Sequence, residues 1–199
     1  MTLPKISIIT PSFNQAKYIE ATILSVLQQD YPNIEYIIMD GGSVDGSVDI
    51  IKKYADKLAY WVSEPDDGQT DALNKGFAKA TGQIYAWINS DDTYEPGVFK
   101  QIAEFFDQHP DIGLVYGDSN FINQNGKIIG SFPAAQTDLH KLSQGFVHIP
   151  QQAAFFTADG WKQVGPLDPD FYFAMDYDLW MRLARITNLQ YLPCLLYTS

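Results

Sequence analysis

Four short apolar runs, each closing on a polar cluster and each followed by a stretch of different periodicity, leave this chain few ways to fold. Residues 5–10, 35–40, 58–63 and 84–88 read as strands, rich in isoleucine and valine. Between them, residues 16–29, 47–54 and 70–80 read as helices; in the first, Ile19, Ile23, Val26 and Leu27 recur at helical spacing. Such alternation demands a mainly parallel α/β sheet with helices on both faces. In open sheets of this kind ligands sit just beyond the carboxyl ends of the strands. The clusters at residues 10–14, at Asp40, at 64–71 and at 89–92 are therefore expected along one edge.

The fourth cluster is the most informative. The run Ile84-Tyr-Ala-Trp-Ile88 stops at Asn89-Ser90-Asp91-Asp92. Adjacent carboxylates raise each other's proton affinity unless a cation sits between them and their ligand, so a divalent-metal site is expected here. The competing reading is that these Asp, Asn and Ser residues only cap the following helices; four polar clusters on one edge weigh against it.

Beyond this point the pattern changes. A helix begins near Pro96, at a first-turn position, with Val98, Ile102, Phe105 and Phe106 as its apolar stripe, and His109 is expected at its C-terminal end. A fifth strand covers 114–116 and ends at Gly117-Asp118; 120–130 reads as a hairpin turned at Asn125-Gly126. Residues 131–150 form a long segment of weak structure, followed by a strand at 153–157, a helical fragment at 161–164, a helix at 177–187 and a strand at 189–196. One domain in two halves, 1–118 and 119–199, is expected.

Charge and composition exclude several functions. With 13 Lys+Arg against 24 Asp+Glu, the net charge of −11 lacks the basic face of a nucleic-acid binder, and an anionic substrate would need a metal ion. The single cysteine, Cys194, excludes an internal disulfide or a cysteine zinc cluster. The turn after the first strand carries Pro11, Phe13 and Asn14 where a nicotinamide-binding domain needs spaced glycines. The N-terminus runs straight into the first strand with no secretory leader, and no apolar segment is long enough for a membrane helix. The expectation is a cytoplasmic protein, with any membrane contact peripheral, at the inner face.

Taken in order, Thr10-Pro11-Ser12-Phe13-Asn14, Asp40-Gly-Gly-Ser-Val-Asp-Gly-Ser47, Asn74-Lys75-Gly76, Asn89-Ser90-Asp91-Asp92 and Met175-Asp-Tyr-Asp-Leu-Trp180 resemble the motifs of family 2 glycosyltransferases. These are inverting, nucleotide-sugar-dependent enzymes with the Rossmann-like GT-A fold, and the resemblance covers nearly the whole chain. It implies that Thr10, Pro11, Ser12, Phe13, Asn14 and Asp40 hold the base and ribose of a nucleoside-diphosphate sugar, with UDP the leading nucleotide. Asp91 becomes the ligand of a Mg²⁺ or Mn²⁺ on the diphosphate, with Ser90 and Asp92 beside the donor; Asn89 stands where the family usually has its first Asp. Asp71 either touches the donor or opens its helix.

Asp176 matches the family's catalytic base, with Met175 where a Glu is usual, and Asp178 reads as structural. His148 and Gln151 resemble the segment bordering the acceptor cleft; Trp161 either stacks on an acceptor sugar or packs in the core. The implied acceptor is a saccharide or lipid-linked saccharide in bacterial polysaccharide or O-antigen synthesis. A sugar nucleotidyltransferase and a non-catalytic nucleotide-sugar-binding module are the competing functions. The chain stops where family members continue, so a C-terminal truncation is expected.

Overall fold

The computed structural model describes residues 3–123, 127–171 and 173–198. Its first half is the expected parallel layer. Strands β1 (Ile6–Ser12), β2 (Ile34–Asp40), β3 (Tyr60–Ser63) and β4 (Ile84–Trp87) lie in the order β3-β2-β1-β4, all parallel. Every residue of β1 and β4 is buried; β4 accordingly reads as an unbroken apolar run, while β1 also buries Ser7, Thr10 and Ser12. The connections are α1 (Ile19–Leu27), α2 (Ser47–Lys53) and α3 (Gln69–Phe77). α1 and α2 bury Ile19, Ile23, Val26 and Ile51 in one core cluster, and α3 buries Ala72, Leu73 and Phe77 in the other. The two clusters are the two faces of the sheet. At Gly76 a Cβ would come within 2.6 Å of Ile9 Cγ2, so a bare backbone is what lets α3 lie this close to β1.

The second half extends the same sheet with β5 (Thr93–Tyr94), α4 (Val98–Gln108), β6 (Ile112–Ile122), β7 (Ile128–Ser131), α5 (Leu139–Ser143), β8 (Ala154–Thr157), α6 (Ala158–Val164), α7 (Met175–Leu183) and β9 (Asn188–Thr198). β8 slots antiparallel between β4 and β6; β9 runs parallel to β6, and β5 pairs antiparallel with the end of β9. α4 joins the core on the side of α1, and α7 joins the side of α3. Trp180 of α7 stacks on Trp87 of β4 with ring centres 5.5 Å apart, fixing α7 against the strand that carries the Asn89–Asp92 cluster.

Several boundaries differ from expectation. β6 does not stop at Gly117-Asp118 but runs eleven residues, because Ser119 is buried and Asp118 accepts a 2.6 Å bond from the Tyr191 hydroxyl of β9. The expected division at residue 118 therefore falls inside a strand. Pro96 lies outside α4, whose N-cap is Gly97 at φ 81°, a backbone geometry that favours glycine. The 120–130 hairpin is present as the β6–β7 pair, with Asn120 opposite Ser131; its expected turn, Asn125-Gly126, lies outside the described residues. The 131–150 segment contains α5, and His109 ends α4 as expected, bonded to the Phe105 carbonyl at 2.9 Å. No helix among the described residues is long and apolar enough to cross a membrane.

Candidate active site

The loops after β1 and β2 are stitched to each other. Asn14, at φ 54°, donates its N–H to Ser43 Oγ (2.8 Å), and its own Oδ1 accepts from the Val44 N–H (3.0 Å). The next two N–H groups follow suit, Gln15 to Ser47 Oγ and Ala16 to Asp45 Oδ2, each at 2.9 Å. The Ser47 hydroxyl and the Ala16 N–H hold the Asp45 carboxyl below its usual range. Asp40 organises the second loop from beneath: its Oδ2 accepts from Gly42 N, Ser43 N and Ser63 Oγ, and its Oδ1 from Ser43 Oγ. It is 2 % exposed. Two motifs far apart in sequence thus fold into one rigid rim.

A cavity of about 580 Å³ opens beside that rim, at the carboxyl ends of the parallel strands. Pro11, Ser12 and Phe13 line it from β1 and Gly41 from β2; Asn89, Ser90 and Asp91 close it from β4. The loop and helix after β3 add Asp66, Gly68, Gln69 and Ala72, so the N-terminus of α3 also faces it. No lysine or arginine is among the lining residues.

Asp91 and Asp92 do not converge. A turn closed by the Asp92 N–H donating to the Asn89 carbonyl (3.2 Å) splays them, leaving Asp91 exposed at the cavity and Asp92 buried, 5 % exposed, outside its lining. Asp91, the expected metal ligand, is thus on the cavity wall, whereas Asp92, expected beside the donor, is not among the lining residues. Among the described residues no group of three His, Cys, Asp or Glu side chains could cage a metal. An exposed carboxylate among the oxygen atoms of Asn89 and Ser90 still fits a hard cation such as Mg²⁺ or Mn²⁺, which takes few protein ligands and fills its shell with phosphate and water.

Asn89 is bonded on both sides. Its Oδ1 accepts from Gln69 Nε2 (2.7 Å), and its Nδ2 donates to Gln151 Oε1 (3.4 Å), while Gln151 Nε2 donates to the Trp87 carbonyl (2.9 Å). Because a backbone carbonyl can only accept, the direction of the whole chain of amides follows from its last member. Residue 89 must then donate, which asparagine can do and aspartate cannot.

Asp176 opens α7. Burial pushes its carboxyl above the ordinary aspartate range, against the Tyr177 N–H that donates to Oδ1 at 2.8 Å. Thr70 at the start of α3 bonds the Met175 sulfur (2.9 Å), so the N-termini of α3 and α7 meet. A second cavity of about 200 Å³ lies here, between Asp67, Gln69 and Thr70 on one side and Pro169 and Phe173 on the other. Gln69 lines both cavities. Asp178 pairs with Arg182 at 2.7 Å, and Arg182 in turn bonds the carbonyls of Val164 and Pro166.

A known sequence pattern covers most of this chain, and several known folds cover nearly all of it. The profile of "Glycosyl transferase family 2" matches residues 7–165. The chain belongs to this family. Family 2 relatives include a protein of Mycobacterium tuberculosis strain H37Rv, named only as an uncharacterized glycosyltransferase, 32 % identical over 97 % of this chain and 74 % of that one. A Rickettsia typhi protein of similar name is 29 % identical over 94 % of this chain and 61 % of its own length. The fold is that of the GT-A glycosyltransferases. Residues 1–349 of TarS from S. aureus, solved in complex with UDP, superpose with a TM-score of 0.81 at 20 % identity, over 98 % of this chain and 60 % of that one. The mannosyltransferase PcManGT from Pyrobaculum calidifontis, solved with GDP-Man and Mn²⁺, gives 0.74 at 20 % identity, over all of this chain and 57 % of that one.

Within the family 2 frame, the expected site residues divide. Pro11, Ser12, Phe13, Asn89, Ser90 and Asp91 line the main cavity. Thr10 instead faces the sheet, its hydroxyl 3.0 Å from that of Tyr36, and Asn14 and Asp40 are committed to the loop stitching. Asp71 accepts from the Asp67 N–H (3.1 Å) and pairs with Lys75 (2.7 Å), which lowers its pKa and ties it to the opening of α3. Trp161 packs on Phe77, ring centres 4.3 Å apart, on the core side. His148 stacks on Phe146, also outside the cavity lining. Gln15, Asp66 and Gln69 line the cavity without having been singled out from sequence; the signal for the last two was their position just past the third strand.

Proposed function

We propose that the chain transfers a sugar from a nucleoside-diphosphate sugar to an acceptor hydroxyl, with inversion, supported by a divalent cation at Asp91. The observation that carries this is the main cavity: about 580 Å³ at the carboxyl ends of the parallel strands, walled by oxygen donors and closed by one exposed carboxylate. A diphosphate entering it meets the α3 N-terminus and no basic side chain, so its charge calls for a cation. Asp91 would hold Mg²⁺ or Mn²⁺, with Asn89 and Ser90 alongside; when bound, the metal supplies Lewis-acid stabilisation of the departing diphosphate. That TarS was solved with UDP and PcManGT with GDP-Man and Mn²⁺ supports the same assignment of ligands here.

The chain's own residues do the rest. Asp176, its proton affinity raised by burial, takes the proton of the acceptor hydroxyl as that oxygen attacks the anomeric carbon. Attack from the face opposite the diphosphate inverts that carbon. Gln69, present in both cavities, stands between donor and acceptor. We assign the donor side to residues 1–118 and the acceptor side to 119–199, two parts of one sheet that share β6, and the acceptor to a saccharide or lipid-linked saccharide of a bacterial surface polysaccharide. Calorimetric titration with UDP, GDP, dTDP and CMP, each with and without Mn²⁺, tests the reading; metal-dependent binding of at least one is expected, and binding of none would sink it.

A further inference from the structure

The small cavity beside α7 has two unlike walls. Asp67, Gln69 and Thr70, from the loop after β3 and the first turn of α3, form one; Pro169 and Phe173, from the loop that leads into α7, form the other. Phe173 is 94 % exposed, so the face of its ring is open to whatever enters. Asp67 and Gln69 are exposed as well, whereas Thr70 is buried with its hydroxyl turned to the Met175 sulfur. The polarity of Gln69 is set from outside. Its Nε2 donates to Asn89, in the chain of amides that ends on the Trp87 carbonyl, which leaves Oε1 as the end that receives. The polar wall therefore offers acceptors, a carboxylate and an amide oxygen, and among the described lining residues there is no lysine, arginine or histidine. The loop carrying Phe173 adds Asp168 and Asp170, and Lys75, further along α3, is already paired with Asp71 at 2.7 Å.

An acceptor-rich wall facing an aromatic one suits a molecule with hydroxyl donors along its edge and C–H groups on its face, as a pyranose ring has. The volume, about 200 Å³, falls below the roughly 300–1,000 Å³ that enclose a larger ligand, so the cavity takes one ring rather than several. Its place gives that ring a role. Phe173 stands three residues before Asp176, Thr70 is bonded to the neighbouring Met175, and Gln69 also lines the donor cavity. Resting on the assignment of Asp176 as the base, we propose that this cavity seats the accepting sugar, its apolar face on Phe173 and its hydroxyls donating to Asp67 and Gln69 Oε1, and that it admits a neutral ring while turning away an acidic one. A uronate would bring its carboxylate among Asp67, Asp168 and Asp170 with no free cation to meet it, and like charges in one site repel.

The test uses the intact protein, with and without UDP and Mn²⁺, and saturation-transfer NMR on the methyl glycosides of glucose, galactose and mannose, each beside the matching uronoside. At least one neutral glycoside is expected to bind, with saturation strongest on the C–H protons of one ring face, and its uronoside to bind about tenfold or more weakly. Phe173→Ala should weaken the neutral glycoside about threefold or more without lowering the melting temperature, as befits an exposed position, and Phe173→Trp should restore binding. Asp67→Asn, which keeps an oxygen acceptor and removes the charge, should narrow the gap between neutral glycoside and uronoside. Binding of no neutral glycoside, equal binding of the uronoside, no effect of Phe173→Ala on binding, or a gap unchanged by Asp67→Asn would each overturn the proposal. The calorimetric series keeps the two readings apart: if no nucleotide binds, the donor reading falls and takes the base assignment with it, whereas nucleotide binding together with any of those four results overturns this proposal alone.

Discussion

Asn89 donates to Gln151 while accepting from Gln69, so a single amide joins the donor cavity to the 3₁₀ turn that precedes β8. The Trp87 carbonyl fixes the direction of that chain. Asn89→Asp, which restores the residue usual in the family, is expected to lower stability by about 1–3 kcal/mol, because Gln151 must then face a carboxylate or give up the carbonyl. Urea unfolding without metal measures this. Added Mn²⁺ should recover part of the loss, the extra charge having gained a counter-ion.

The splayed carboxylates separate binding from folding. Asp91→Asn, at an exposed position, should leave the melting temperature within about a degree or two, as surface substitutions usually do, and weaken Mn²⁺-dependent nucleotide binding about tenfold or more. Asp92→Ala, at a buried and engaged position, should cost about 1–3 kcal/mol of stability. Thermal melts alongside calorimetry distinguish the two; equal effects of both variants on both measurements would contradict the geometry.

Asp176 carries a pH signature. Its folded pKa is raised by burial, so the base form appears only above the ordinary aspartate range near about 4, and turnover should rise with pH through an inflection above that value. The same shift fixes the sign of its effect on stability. A raised folded pKa contributes stability in full below the unfolded pKa and loses it as pH rises through the folded one, so the ionised group is unfavourable near neutrality. Asp176→Asn should therefore abolish transfer, spare nucleotide binding and leave the neutral-pH melting temperature unchanged or raised. A lowered melting temperature would assign the residue to helix capping.

Asp40 is expected to behave as a scaffold residue. Asp40→Ala removes the acceptor for Gly42, Ser43 and Ser63, and at least about 3 kcal/mol should be lost in denaturant titration. Any loss of nucleotide affinity should track the fraction unfolded.

Strands buried on both faces announce themselves, which is why β1 and β4 and most of β2 were legible from apolar runs; β3, a half-exposed edge strand, was legible from its Tyr-Trp-Val composition and the polar stretch that follows it, and the intervening helices from spacing. β5 was not, since two residues, Thr93 and Tyr94, become a strand only by pairing with Tyr197 and Thr198 about a hundred positions later. The length of β6 was hidden because Asp118 and Ser119 look like a loop until the Tyr191 hydroxyl and the neighbouring strand satisfy them. At the site, the motifs gave the strand ends but not the direction of side chains. Thr10 and Phe13 share a motif, yet one faces Tyr36 in the sheet and the other the cavity. Asp66 lay in the polar stretch expected at this edge, but its contact with residue 41 depends on an absent side chain there, which no spacing rule records.

The antiparallel strand β8, bonded to β4 on one edge and β6 on the other, has a mechanical consequence. The parallel layer that ends at β4 and the strands from β6 onward share one ladder of backbone hydrogen bonds through it, and parting them would mean tearing that ladder. Heat, denaturant or a pulling force should then dissolve both in a single cooperative step, with no stable half-molecule left behind.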